Sequence, residues 1–438
     1  MAKSGSVTIP ETEPPYGWVV VASSHVVFIL WTGFVKTIGV LLPSLMDFYH
    51  TDALALGWIT ASFCATNNIA AVFGSVLSIL IGGRQVVILG GLMATSGLLL
   101  ASISSSLYQF ALALIFLTGS GFGMVMCVCK VHLGLYFNER LAFASSIVTM
   151  GVPVGLIIFP AFAELLRITY GIRGTLLILS ALTMHLVACG ALLRPSFGIS
   201  SQQRGGNEGY ALITSSETEK QSHPCHILRT HLAGLLDVKL LASVDMWMLI
   251  VCYTLASFVN DSWITFMVSN AVSKGFDDYV ATTFSITAGC SAVIFSVLQG
   301  IIITRGIAGI RPVTAVATAI GSTALFLNPL LTSYSAILVA VVMYGISLAV
   351  LNPSFVTLAI ETQGRERASK AFGWMGLFSG IFRLLFGFST GLLRNITGYY
   401  NATFILLGAM LAIIIPTLFL DTLVSKMLEH RLALVKQR

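Results

Sequence analysis

The chain has 438 residues, of which 56% are hydrophobic and only 10% charged, and its mean hydropathy is +0.89. A soluble globular protein carries about 25% charged residues, so this composition excludes a water-soluble globule and requires lipid. The net charge of +6 falls between apolar stretches, as membrane-flanking lysines and arginines do, and gives no reason to expect nucleic acid as a partner.

Residues 1–17 are polar and proline-rich, and the apolar run after them is too long for the core of a cleavable signal. That run, 18–45, is the first stretch long enough to cross a bilayer, which takes about 20 apolar residues. Eleven more follow at 56–81, 86–104, 109–135, 141–166, 175–193, 246–270, 281–303, 312–331, 336–360, 368–393 and 403–423. The expected architecture is therefore an all-α membrane protein of twelve transmembrane helices. It divides into a six-helix bundle at 18–193, a linker at 194–245, a second bundle at 246–424 and a tail at 425–438.

Basic residues set the orientation. Arg84, Arg140, Arg305, Arg311, Arg365, Arg367 and Lys370 lie on the side of the termini, and only Arg167, Arg173, Lys274 and Arg394 lie opposite. The positive-inside rule then places both termini in the cytoplasm. The linker opens with GISSQQRGGNEG and TSSETEK, too polar to bury a core. It closes with HILRTHLAGLLDVKLL, which reads as an amphipathic helix on the membrane surface.

The cysteines Cys64, Cys127, Cys129, Cys189, Cys252 and Cys290 lie in spans and Cys225 in the linker, a pattern without a disulfide framework. His223, Cys225 and His226 lack a second ligand cluster, so no metal site is expected. No nucleophile motif or phosphate-cradling loop stands out, and GSGFG at 119–123 lies inside a span, where glycines serve helix packing. Neither enzymatic activity nor a cofactor is expected.

The two bundles share a pattern. In ERLAFASSIVTMGVPVG, Arg140 precedes Gly151 and Gly155; in GRERASKAFGWMGLFSG, Arg365 precedes Gly376 and Gly380 at the same spacing, offset by 225 residues. Small residues four apart let helices approach closely, and the repeat reads as an internal duplication, the six-plus-six plan of major facilitator transporters. Arg140, Gly151, Gly155 and Arg365 are accordingly read as gating or conformational positions, together with Glu361 where span ten ends.

Three stretches resemble the monocarboxylate transporter family. Pro14-Pro15-Tyr16-Gly17-Trp18 is similar to the family's opening Pro-Pro-Asp-Gly-Gly-Trp-Gly-Trp. In YFNERLAFASSIVTMGVPVG, the residues Tyr136, Phe137, Arg140, Ala144, Gly151, Pro153, Val154 and Gly155 match the family's segment before span five. GGLMATSGLLLAS and GTLLILSALTMHLVACGALLRP resemble the branch of monocarboxylate transporters 12 and 13. The resemblance implies a plasma-membrane secondary transporter of small carboxylates, for some members with a single-span chaperone subunit as partner. The chain also departs from the pattern. The Asp-Gly-Gly of the opening is missing, Glu139 replaces a lysine, and the loop motif after span two keeps only Gly82 and Arg84. Ala292 and Ser296 stand where proton-coupled members carry an Asp-x-x-x-Arg pair. Three functions stay open: a facilitative carrier of monocarboxylates or creatine-like compounds, a proton-coupled lactate or pyruvate symporter, and a transport-inactive scaffold or sensor.

Ionisable groups inside spans mark candidate sites, since each costs about 2.5 to 3.5 kcal/mol on insertion scales at the bilayer centre. Lys36 lies about 18 residues into span one, roughly 27 Å from its start; counted from Gly17-Trp18, it falls on the family's substrate-site lysine. Asp261 of span seven lies at a similar depth and is the expected partner of Lys36, to be displaced by a substrate carboxylate. Arg383 of span eleven is a second candidate anion contact, because a guanidinium can hold a carboxylate through two hydrogen bonds. Asn67 and Asn68 of span two are candidate hydrogen-bonding contacts. Lys130, close to the end of span four, is expected to snorkel to the headgroups.

Overall fold

The computed structural model describes residues 15–51, 53–137, 139–193, 237–387, 389–397 and 399–436. Helix is the only backbone arrangement these apolar stretches can adopt in lipid as open segments, because it satisfies every interior N–H and C=O within itself. The chain forms α1 (Gly17–Tyr49), α2 (Ala53–Leu80) and α3 (Gly83–Ile103). Next comes α4, built from Leu107–Leu112, a π-helical turn at Ala113–Gly119, and Ser120–Tyr136. Helix α5 starts as Leu141–Thr149 and runs into Gly151–Thr183, inside which the backbone turns at Gly171, with φ 65° and ψ −172°. Only glycine takes that conformation without strain, and the part beyond it, with His185–Leu192, is α6.

The second half follows the same plan. A short 3₁₀ turn at Val238–Ala242 leads into α7 (Val244–Ser273), then α8 (Asp278–Thr304), α9 (Ile310–Leu327) and α10 (Tyr334–Gln363). Helix α11 (Arg365–Phe386) continues as Ser389–Thr397, and α12 is Asn401–Lys436. The twelve expected spans are thus twelve helices. One boundary differs markedly from the sequence reading. Helix α12 runs past the end of its apolar stretch, since nothing in the polar tail breaks a helix, and only the end of the amphipathic linker segment lies among the described residues. His223, Cys225 and His226 lie outside them.

The repeated glycine spacing is used in two ways. A Cβ on Gly151 would stand 2.8 Å from Phe28 Cβ, and one on Gly155 2.9 Å from the Ile29 carbonyl oxygen, so these glycines seat α5 on α1 inside the first half. On α11, a Cβ on Gly380 would stand 2.7 Å from the Ala65 carbonyl oxygen, and Gly376 lies as close to Asn68 and Ala71. The second pair therefore seats α11 on α2, across the boundary between the halves.

At the end of the bundle that carries the termini, the halves close on each other. Ser145 of α5 bonds Thr357 of α10 at 3.2 Å, and Ser78 of α2 bonds Ser369 of α11 at 3.3 Å. Gly134 of α4 packs on Ile360 of α10, and Gly300 of α8 on Phe143 of α5. Toward the opposite end, the Lys36 ammonium of α1 donates to the Ile264 carbonyl of α7. A cavity lies between these two levels.

Candidate functional site

Helical periodicity brings residues from separate segments onto the cavity wall, because side chains three, four or seven apart share one face. Helix α7 contributes Tyr253, Ser257, Asn260 and Asp261; α4 contributes Gly123, Met126, Cys127 and Lys130; α2 contributes Asn67, Asn68 and Ala71. Phe28 and Trp31 of α1, Thr149 and Val152 of α5, Asn352 of α10, and Phe372, Gly376 and Arg383 of α11 complete the cavity wall. On α10, Pro353 follows Asn352 and cannot donate to the carbonyl one turn back, which loosens the helix beside the cavity.

The charged centre is an ion pair. Arg383 is 5% exposed, and its Nη1 donates to Asp261 Oδ2. Among the described residues, Arg383 Nε has no partner, and neither do the indole N–H of Trp31 or the side-chain oxygens of Asn67 and Asn260, all buried atoms of cavity residues. Burying such a group unpaired costs about 1–3 kcal/mol, so the wall offers donors and acceptors to a polar occupant. Asn68 Nδ2 instead donates to the Cys64 carbonyl of its own helix at 2.8 Å.

The expected pairing of Lys36 with Asp261 is not the arrangement formed. Asp261 is taken by Arg383, whose planar fork matches a carboxylate better than an ammonium does. Lys36 reaches the carbonyl of Ile264, three residues further along α7 and on the same face, at 2.5 Å. It is half-buried there and does not line the cavity. Lys130, expected at the headgroups, points the other way. Its Nζ donates to Tyr253 OH at 3.3 Å and stands over the rings of Tyr253 and Phe28 at 5.4 and 6.0 Å.

Sequence reading missed Lys130 as a cavity residue because distance to the span end ignored direction. The signal that finds it is the helical face it shares with Gly123 and Cys127 of the glycine-rich stretch. Ala292 and Ser296, where the family resemblance placed an acid and a base, are 0% and 2% exposed in the packing of α8 and lie off the cavity. Of the gating candidates, Glu361 lies within electrostatic reach of Arg311 at the terminal end, and Gly151 and Gly155 sit between α1 and α5. Arg140 opens the first turn of α5, and the side chain of Arg365 lies outside the described residues. His25 and His132 each hold a backbone carbonyl, of Ile147 at 2.6 Å and of Val128 at 3.0 Å.

Residues 24–387 match the profile of the Major Facilitator Superfamily. The chain is 28% identical over 412 residues to monocarboxylate transporter 13 of Rattus norvegicus, covering 92% of this chain and 89% of the relative. It is 26% identical over 421 residues to monocarboxylate transporter 12 of the same organism, covering 93% and 85%. Among solved structures it resembles the proton:xylose symporter XylE bound to 6-bromo-6-deoxy-D-glucose, with a TM-score of 0.73 over 93% of this chain and 96% of that one. At 12% identity that likeness speaks for the fold alone.

Proposed function

The chain belongs to the Major Facilitator Superfamily and is a multi-pass secondary transporter; from that premise we propose that it carries small carboxylated metabolites, a monocarboxylate or a creatine-like compound, by facilitative alternating access. The observation that carries this reading is the Arg383–Asp261 pair in a cavity between the two halves. Alternating access needs a site that both halves share near the midplane, and α1, α2, α4 and α5 face α7, α10 and α11 around this one.

The similarity to monocarboxylate transporters supports an anionic substrate. In the proposed cycle the substrate occupies the cavity whose wall includes Arg383, Asp261, Asn67 and Asn68. Lys36 is assigned to the joint between α1 and α7, where its bond to Ile264 must form and break as the outer ends close and part. Gly151, Gly155, Arg140, Glu361 and Arg365 belong to the surfaces that move or brace during that rocking. The absence of an acid–base pair on α8, where Ala292 and Ser296 stand, favours facilitation. We place the protein in the plasma membrane on the strength of the resemblance and both termini in the cytoplasm on the basic residues that flank the spans, and a single-span chaperone subunit is the partner the resemblance carries.

One observation favours a second reading, proton-coupled symport of lactate or pyruvate: Asp261 and Arg383 bring the acid and base of the family's coupling pair together from two helices. Uptake of labelled pyruvate, lactate, creatine and phenylalanine into vesicles holding the purified chain, at acidic and neutral outer pH, tests both. Facilitation gives carboxylate uptake that outer acid does not accelerate. Symport gives acceleration that Asp261→Asn abolishes. A chain that moves none of these compounds at either pH is a scaffold or sensor, and the transport proposal fails.

A further inference from the structure

The cavity wall carries two cations, Lys130 and Arg383, and one anion, Asp261. Arg383 and Asp261 neutralise each other. Lys130 has no carboxylate within ion-pair distance among the described residues. An ammonium has three N–H donors. One goes to Tyr253 OH, and the aromatic faces of Tyr253 and Phe28 take up part of the charge without accepting the other two in a conventional bond.

A carboxylate arriving at Arg383 must compete with Asp261 and would leave that carboxylate buried without its partner. One arriving at Lys130 displaces nothing charged and brings the cavity to neutrality. Tyr253 and Asp261 lie eight residues apart on α7, about 12 Å of backbone rise, with Arg383 within electrostatic reach of Tyr253. Lys130 belongs to α4 in the first half and Tyr253 to α7 in the second, so an anion held between Nζ and the phenol hydroxyl touches both halves.

We propose that Lys130, with Tyr253 OH beside it, is the anion anchor of the cavity and receives the substrate carboxylate, while Asp261 and Arg383 remain a paired unit further along α7. This rests on the reading of the chain as a carboxylate transporter. The anchor joins the halves through the bound substrate, at the place that the bond from Lys130 to Tyr253 marks.

The test is uptake of labelled pyruvate, benzoate and phenylalanine by the full chain in reconstituted vesicles. Lys130→Met keeps the stem and removes the charge, and it is expected to raise the KM of the carboxylates the wild type transports by about ten- to hundred-fold, the loss of a charge-assisted hydrogen bond. Lys130→Arg restores a cation and recovers most of that loss. Tyr253→Phe removes only the hydroxyl, raises KM by about three- to ten-fold, and decides the matter if Lys130→Met fails to fold. Lys36→Met is expected to lower the maximal rate while KM stays within about three-fold of wild type. A wild-type KM in Lys130→Met, or in Tyr253→Phe where Lys130→Met does not fold, overturns the assignment while transport stands. So does a rise in KM confined to Lys36→Met. If wild-type vesicles take up none of the three probes, nor lactate or creatine, the transport reading fails and the anchor falls with it.

Discussion

Asp261 on α7 and Arg383 on α11 form an ion pair inside the cavity, in a chain whose α8 carries Ala292 and Ser296 where the family resemblance places the acid and base of proton-coupled members. The pair ties the first and fifth helices of the second half together at the level where the first half faces them. Because Arg383 is almost wholly buried, its charge is tolerable only while Asp261 compensates it.

That dependence gives the first prediction. Removing one member of a buried pair costs about 3–5 kcal/mol, because the other charge stays behind unpaired. Asp261→Asn and Arg383→Gln are each expected to lower the melting temperature of the purified protein, and the double variant should be more stable than either. A double variant whose loss equals the sum of the two singles would show that the groups do not interact.

Lys36 gives the second. Its ammonium bonds a backbone carbonyl on the facing helix of the other half, and a hydrogen bond to a charged group contributes about 1.5–3 kcal/mol. If that bond forms and breaks once per cycle, Lys36→Met changes the rate of interconversion between states. The expected outcome is a maximal exchange rate about five- to ten-fold lower, measured as labelled exchange with substrate on both sides. An unchanged rate would separate Lys36 from the cycle.

The glycines between α2 and α11 give the third. A Cβ at Gly380 would stand 2.7 Å from the carbonyl oxygen of Ala65, backbone that cannot move aside, whereas nothing lies within 4 Å of one at Gly39. Gly380→Val should cost about 1–3 kcal/mol in overpacking and slow transport, and Gly39→Ala should leave both stability and flux near wild type. Melting temperature and initial uptake rate report the two effects separately.

Lys274, just past the end of α7, gives a pH dependence. It donates to the Asn328 and Leu331 carbonyls and to Asn328 Oδ1, and burial pushes its ammonium down to about 8. An unfolded lysine titrates at about 10.4. Between those two values the unfolded chain binds the extra proton, so stability rises with pH across that window and levels off below it. Lys274→Met should remove this part of the slope in melting temperature. An identical slope in the variant would locate the effect elsewhere.

The fold was legible because lipid leaves the chain one option. Twelve apolar stretches in water could pack in many ways, but in a bilayer each must be a helix, and the spacing from Arg140 to Gly155 repeating at Arg365 to Gly380 marked the halves. The partners inside the membrane were less legible. Equal depth made Asp261 look like the partner of Lys36, but depth is one coordinate of three. Rotation about the helix axis decides which charge meets which, and it gave Asp261 to Arg383 and turned Lys130 inward. The repeat also concealed a difference, since Gly155 packs within one half and Gly380 between halves; which neighbour a glycine approaches follows from tertiary packing that local spacing does not encode.

The account turns on the cavity between the halves being the transport site for a carboxylate. Trans-stimulation measures this most directly: vesicles holding the purified chain are loaded with unlabelled pyruvate, and the influx of labelled pyruvate is followed. Internal pyruvate is expected to accelerate influx into wild-type vesicles, and Arg383→Gln, which leaves the Asp261 carboxylate uncompensated in the cavity to repel an arriving anion, is expected to lose the exchange even where the protein is folded and inserted. Exchange at the wild-type rate in Arg383→Gln, or no pyruvate flux in the wild type, would contradict the account.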